Sequence, residues 1–158
     1  MIYYSDEIAQ ISQVAGLIHL NKLPMDRVPT VDQLLEICTF ASTVQGMPLF
    51  LGKDEFGNEV FRINFGKASG LGLQTVYYLL TAFFNPVDSN LTDSNPLDWK
   101  FFKVCSMPKY LTKISAFILH TLRMDQPGKI LVVYGIQKIY REIAGLVKTT
   151  KELSGSFG

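Results

Sequence analysis

The sequence predicts a single α/β domain over residues 1–152: a three-layer α/β/α sandwich of about five strands, mostly parallel, with one β-hairpin. Three observations support this. Short runs rich in β-branched and aromatic residues alternate along the chain with amphipathic stretches, and strands separated by helices favour parallel pairing with helices on both sheet faces. The 158 residues are of single-domain size, enough to bury roughly two-thirds of the unfolded surface. With 47% hydrophobic and only 18% charged residues, the chain is too apolar to remain unfolded in water.

Ile2 to Tyr4 is a short β-rich run. From Ala9 the residues Ile11, Val14, Ala15 and Ile18 recur at helical spacing, so a strand feeds a helix that ends near Asn21. Leu23-Pro24 opens a turn reaching Pro29, after which Thr30 can cap a second helix, Val31 to Cys38, with Asp32 in its first turn. Pro48 to Leu51 and Glu59 to Phe65 are strand-like and joined by the turn sequence Lys53-Asp54-Glu55-Phe56-Gly57-Asn58, which reads as a β-hairpin.

After Gly66, Ser69 is positioned as an N-cap and Leu73, Val76, Tyr77, Leu80 and Phe84 form the stripe of a third helix. Its other faces hold Tyr78, Leu79, Ala82 and Phe83, so it must be buried centrally or covered by a partner. Asn85 to Asp98 is a long loop rich in Asn, Asp, Ser and Pro. Trp99 to Cys105 alternates aromatic residues with lysines, and Pro108 can start a helix carrying Leu111, Ile114, Ile118 and Leu122. Lys129 to Tyr134, almost unbroken in apolar character, reads as a central parallel strand, followed by a helix from Ile136 to about Lys151 and a frayed tail, residues 153–158.

Composition narrows the functional classes. The longest apolar runs fall far short of the ~20 residues of a membrane span, and the N-terminus lacks the pattern of a secretory signal, so the expectation is a cytoplasmic protein. Cys38 and Cys105 form no CxxC pair and read as free thiols. Net charge is +1, which makes nucleic acid an unexpected partner. The two halves differ: five Lys/Arg against ten Asp/Glu over residues 1–95, giving −5, then ten against four, giving +6. Interleaving of the halves in a sheet predicts internal attraction and a mixed surface, with a functional basic face as the alternative.

Several stretches carry a family likeness: Ile2-Tyr3-Tyr4 leading to Ile18-His19-Leu20, then Lys22-Leu23-Pro24, Asp54-Glu55-Phe56-Gly57-Asn58-Glu59-Val60, and Val132-Val133-Tyr134-Gly135-Ile136. Together they resemble an uncharacterised bacterial family of Gram-positive spore-formers, the domain of unknown function numbered 3189, from Met1 to about Glu152. The resemblance brings no activity with it. It implies a first strand-to-helix loop with a Cys, paired glycines and a His-Ser-Ser stretch, a cradle for an anion at a helix N-terminus. Here that loop reads Ser5-Asp6-Glu7-Ile8-Ala9-Gln10-Ile11-Ser12, and its two carboxylates would repel a phosphate.

In such a fold ligands bind beyond the carboxyl ends of the parallel strands, here Ser5 to Ala9, Gly66 to Gly72, Cys105 to Pro108 and Tyr134-Gly135. Gly66-Lys67-Ala68-Ser69-Gly70-Leu71-Gly72 could hold a phosphate with Lys67, the Ser69 hydroxyl and the backbone at Gly70, although its order is not that of a Walker loop; a turn with an N-cap explains it as well. Cys105-Ser106-Met107-Pro108 ends a strand and begins a helix, where a thiol can become nucleophilic, but no base or resolving cysteine accompanies it. His19, late in the first helix and away from the strand ends, reads as a partly buried structural histidine. His120 reads as a surface residue, and neither histidine has further ligands at metal-binding spacing. Asp54, Glu55 and Glu59 read as solvated hairpin carboxylates. The favoured functional expectation is a non-catalytic binding or regulatory protein that meets a homo-oligomeric or protein partner through Tyr78, Leu79 and Phe83. The alternative is a phosphate- or nucleotide-binding enzyme using the strand-end loops.

Overall fold

The computed structural model describes residues 1–6, 9–38, 45–66, 69–84, 100–106, 113–114 and 125–155. Among these residues the fold is mixed α/β, with four strands and four helices: β1 (Ile2–Ser5), α1 (Ala9–His19), α2 (Val31–Ile37), β2 (Leu49–Lys53), β3 (Glu59–Asn64), α3 (Ser69–Phe84), β4 (Phe101–Lys103) and α4 (Asp125–Gly155). The sheet order is β2-β3-β1-β4. β1 lies parallel to both β3 and β4, with Ile2 opposite Phe61 and Phe101, and β2 is antiparallel to β3 as the hairpin requires.

Strand periodicity sorts the core into two faces. Tyr3, Val60 and Val104 join the buried cluster built with α1, α2 and α4, whereas Ile2, Ile63 and Phe65 form a second cluster against which Leu73 and Val76 of α3 pack. Two glycines permit close approaches: a methyl group at Gly16 would overlap Leu51, and one at Gly72 would overlap the Phe65 ring. Thr30 caps α2 in full, accepting from the Gln33 backbone N–H at 3.3 Å while the Gln33 side chain accepts from its own N–H at 3.0 Å.

The fifth strand expected at Lys129–Tyr134 does not form: this segment lies inside α4, a helix of 31 residues. Val132, Val133, Ile136, Ile139, Tyr140, Ile143, Ala144 and Val147 are buried along it, a single stripe with helical period. The apolar run is the first part of that stripe, with Ile130 and Tyr134 exposed between its buried positions. A short apolar run fits a buried strand or a buried helix equally well until a partner surface is specified. That surface is helical, since α4 packs on α1 and α2. α4 also continues to Gly155, into the segment 153–158 expected as a frayed tail.

Asn85–Asp98, the helix expected from Pro108 and His120 lie outside the described residues, apart from Lys113 and Ile114, which are helical. Among the described residues no helix is long and apolar enough to cross a membrane.

Candidate functional site

Parallel pairing of β3, β1 and β4 brings their carboxyl ends side by side. Ser5 stands opposite Asn64, Tyr4 opposite Lys103, and the Phe65 N–H donates to the Ser5 carbonyl at 3.1 Å. Three of the loops singled out in the sequence therefore start from one sheet edge. Lys67 and Glu7 lie outside the described residues, as does the side chain of Ser69, whose backbone begins α3. Gly70 and Ser106 are exposed, and Gln10 is half-buried on α1.

The edge is polar. Lys103 Nζ meets Asp6 Oδ2 at 2.6 Å, and this bond raises the lysine pKa. Ser5 and Ser12 are buried and joined by a 3.1 Å hydrogen bond, and Gln13 Nε2 donates to the Ile37 carbonyl at 3.3 Å. Arg62, which the sequence reading did not single out, is buried on the face of β3 that also carries Val60; burial lowers its pKa, against the field of the nearby Cys38. Only the alternation of β3, with Val60, Arg62 and Asn64 on one face, hinted at that placement.

Neither thiol is activated. Cys38 is buried and its pKa is pushed up to about 12 by desolvation, despite Arg62. Cys105 is half-buried and is likewise raised, first by burial and then by the Glu142 carboxylate. Thiolate is the reactive form. In the native protein at pH 8, Cys38 is thus expected to react with an aromatic disulfide reagent at least about a hundredfold more slowly than in the urea-denatured chain, and Cys105 also more slowly. A fast native phase equivalent to one thiol would contradict this.

At the opposite end of the sheet, His19 and Asp54 belong to one network with Tyr3. The Tyr3 hydroxyl is 2.8 Å from His19 Nδ1, and His19 Nε2 is 3.2 Å from Asp54 Oδ2. All three side chains are buried, His19 and Asp54 to 1% exposure. Asp54 is therefore not a solvated hairpin carboxylate: its Oδ1 accepts from the Phe56 and Asn58 backbone N–H groups at 2.9 and 2.8 Å, and its Oδ2 accepts from Asn58 Nδ2 at 3.0 Å. These bonds, with that from His19, hold its pKa down against the effect of burial. Desolvation lowers the pKa of His19, and Asp54 partly opposes the shift. Glu55 and Glu59 are exposed as expected, paired with Lys151 and Lys53.

A third feature is apolar and outward-facing. Leu71, Tyr77, Tyr78 and Leu79 of α3 are exposed, Tyr78 to 70%. Leu73, Gln74, Tyr77, Tyr78 and Phe101 line an open groove of about 240 Å³ between α3 and β4. The side chain of Phe83 lies outside the described residues. Among the described residues no group of three or more His, Cys, Asp or Glu side chains could hold a metal ion.

A family model described as a protein of unknown function, DUF3189, matches residues 1–152. No curated protein and no solved structure matches the chain.

Proposed function

We propose, from the premise that the chain belongs to the DUF3189 family, that it is a non-catalytic binding or regulatory protein that meets a protein partner through α3. The carrying observation is the run of exposed Leu71, Tyr77, Tyr78 and Leu79 beside an apolar groove. Water contact with exposed apolar side chains is unfavourable, and aromatic side chains are the residues that most often anchor interfaces. In this reading α3 is the second helical layer of a three-layer sandwich, and the protein works in a bacterial cytoplasm. Affinity capture with the full chain tests the reading, together with sedimentation to detect a second copy as the partner. Tyr78→Glu is expected to weaken association about a hundredfold or more while leaving the melting temperature within a few degrees, because the side chain is exposed. Association unchanged by this substitution would remove the reading.

A second reading is favoured by the adjacency of the β1, β3 and β4 carboxyl ends. There Lys67, Ser69 and Gly70, with Cys105 and Ser106, would take a phosphorylated small molecule. Asp6 at the same edge weighs against an anion. A thermal-shift screen with nucleotides, sugar phosphates and polyphosphate, repeated on Lys67→Ala, distinguishes the two: a rise lost in the variant supports phosphate binding, and no rise excludes it.

A further inference from the structure

The buried Tyr3–His19–Asp54 chain extends one member further. The Tyr3 hydroxyl also lies against the Thr150 side chain on α4, whose Oγ1 donates to the Leu146 carbonyl at 2.9 Å. The chain thus ties together β1, α1, the hairpin turn and the C-terminal part of α4.

Donor and acceptor rules fix its state when the imidazole is neutral. Ionised Asp54 only accepts, so His19 Nε2 carries the proton and donates to Oδ2. Nδ1 is then an acceptor, and the Tyr3 O–H donates to it. A proton taken from solvent onto Nδ1 reverses this end of the chain. Nδ1–H donates to the Tyr3 oxygen, the Tyr3 O–H turns to Thr150 Oγ1, and Thr150 keeps its bond to Leu146. Every donor still has an acceptor, no covalent bond other than the new N–H is made, and the imidazolium lies against the Asp54 carboxylate. We propose that Tyr3, His19, Asp54 and Thr150 form a proton-linked switch in which the Tyr3 hydroxyl reverses from α1 to α4 when His19 is protonated.

The other charges facing His19 are the N-terminal amine at the start of β1 and Lys151 on α4, both of which oppose protonation. Lys151 is itself paired with Glu55 at 3.2 Å. Desolvation places the transition below the ordinary histidine range. Acidification then reverses the bond between Tyr3 and α1, adds one from Tyr3 to α4, and gives the His19–Asp54 bond charge on both sides.

The test follows the imidazole nitrogens of His19 and the ring carbon bearing the Tyr3 hydroxyl by NMR, in the full chain, as pH falls. Both signals are expected to move with one midpoint while the protein stays folded. Thr150→Val, which removes the acceptor needed by the protonated state, is expected to lower the proton affinity of His19 about tenfold, and Thr150→Ser to leave it within about twofold. A Tyr3 signal that does not move at the His19 midpoint overturns the switch, as does an unchanged midpoint in Thr150→Val or unfolding of the wild type before His19 titrates. If Thr150→Val does not fold, the comparison of the two wild-type midpoints decides alone.

Discussion

Replacing Tyr140 by alanine is expected to remove about 4 kcal/mol of folding stability, measured as a fall in the urea midpoint at unchanged slope. The ring is 1% exposed in the cluster shared by α1, α2 and α4, and its hydroxyl donates to the Pro24 carbonyl at 2.6 Å. Alanine leaves a cavity the size of a phenol ring and strips the carbonyl of its donor. One helical turn earlier, Gln137 Nε2 donates to the Pro29 carbonyl at 2.7 Å, so α4 is fastened to both ends of the connection between α1 and α2. Tyr140→Phe separates the two contributions, since it keeps the ring and loses only the hydrogen bond, at a cost of about 1 kcal/mol. An alanine variant no weaker than the phenylalanine variant would mean that α4 contributes little to the core.

Asp54→Ala is expected to cost about 3 kcal/mol, because it removes the acceptor of two backbone N–H groups and one side-chain amide and leaves His19 Nε2 buried without its partner. Asp54→Asn should cost about half as much. Its carbonyl can still accept from the turn, while its NH₂ group forces the imidazole to present Nε2 as the acceptor, so the tautomer changes rather than the packing.

The pH dependence has a defined sign. Both His19 and Asp54 have folded pKa values below their unfolded ones, so the unfolded chain takes up protons first on acidification. The His19 contribution is present in full above about pH 6.5 and declines as pH falls below it; that of Asp54 is present above about pH 4 and declines below that. Asp54→Ala should therefore flatten the acid limb of the stability curve below pH 4. An Asp54→Ala curve parallel to that of the wild type would show that the carboxylate is not held in its ionised form by the turn.

Much of the fold was legible because local chemistry carried it. Thr30, with Asp32 in the first turn after it, marked the start of α2, Lys53 to Asn58 marked a turn between two β-rich runs, and the spacing of Ile11, Val14, Ala15 and Ile18 marked α1. The candidate site was less legible. Parallel β1, β3 and β4 could be expected to end at one edge, but the Asp6–Lys103 pair there joins residues nearly a hundred positions apart. Arg62 reads as an ordinary strand residue until α2 delivers Cys38 beside it.

The sequence by itself therefore determined whatever depends on neighbours within a few residues: the hairpin, the α2 cap, the amphipathic helices and the alternation that gives the sheet two buried faces. Only the tertiary structure decided the order β2-β3-β1-β4, the conversion of Lys129–Tyr134 from an expected strand into part of α4, and the burial of Asp54 against His19. The physical reason is common to the last two. An apolar run and a turn carboxylate each have two low-energy uses, and the choice between them is set by a surface from a distant part of the chain: the faces of α1 and α2 for α4, and the end of α1 for Asp54.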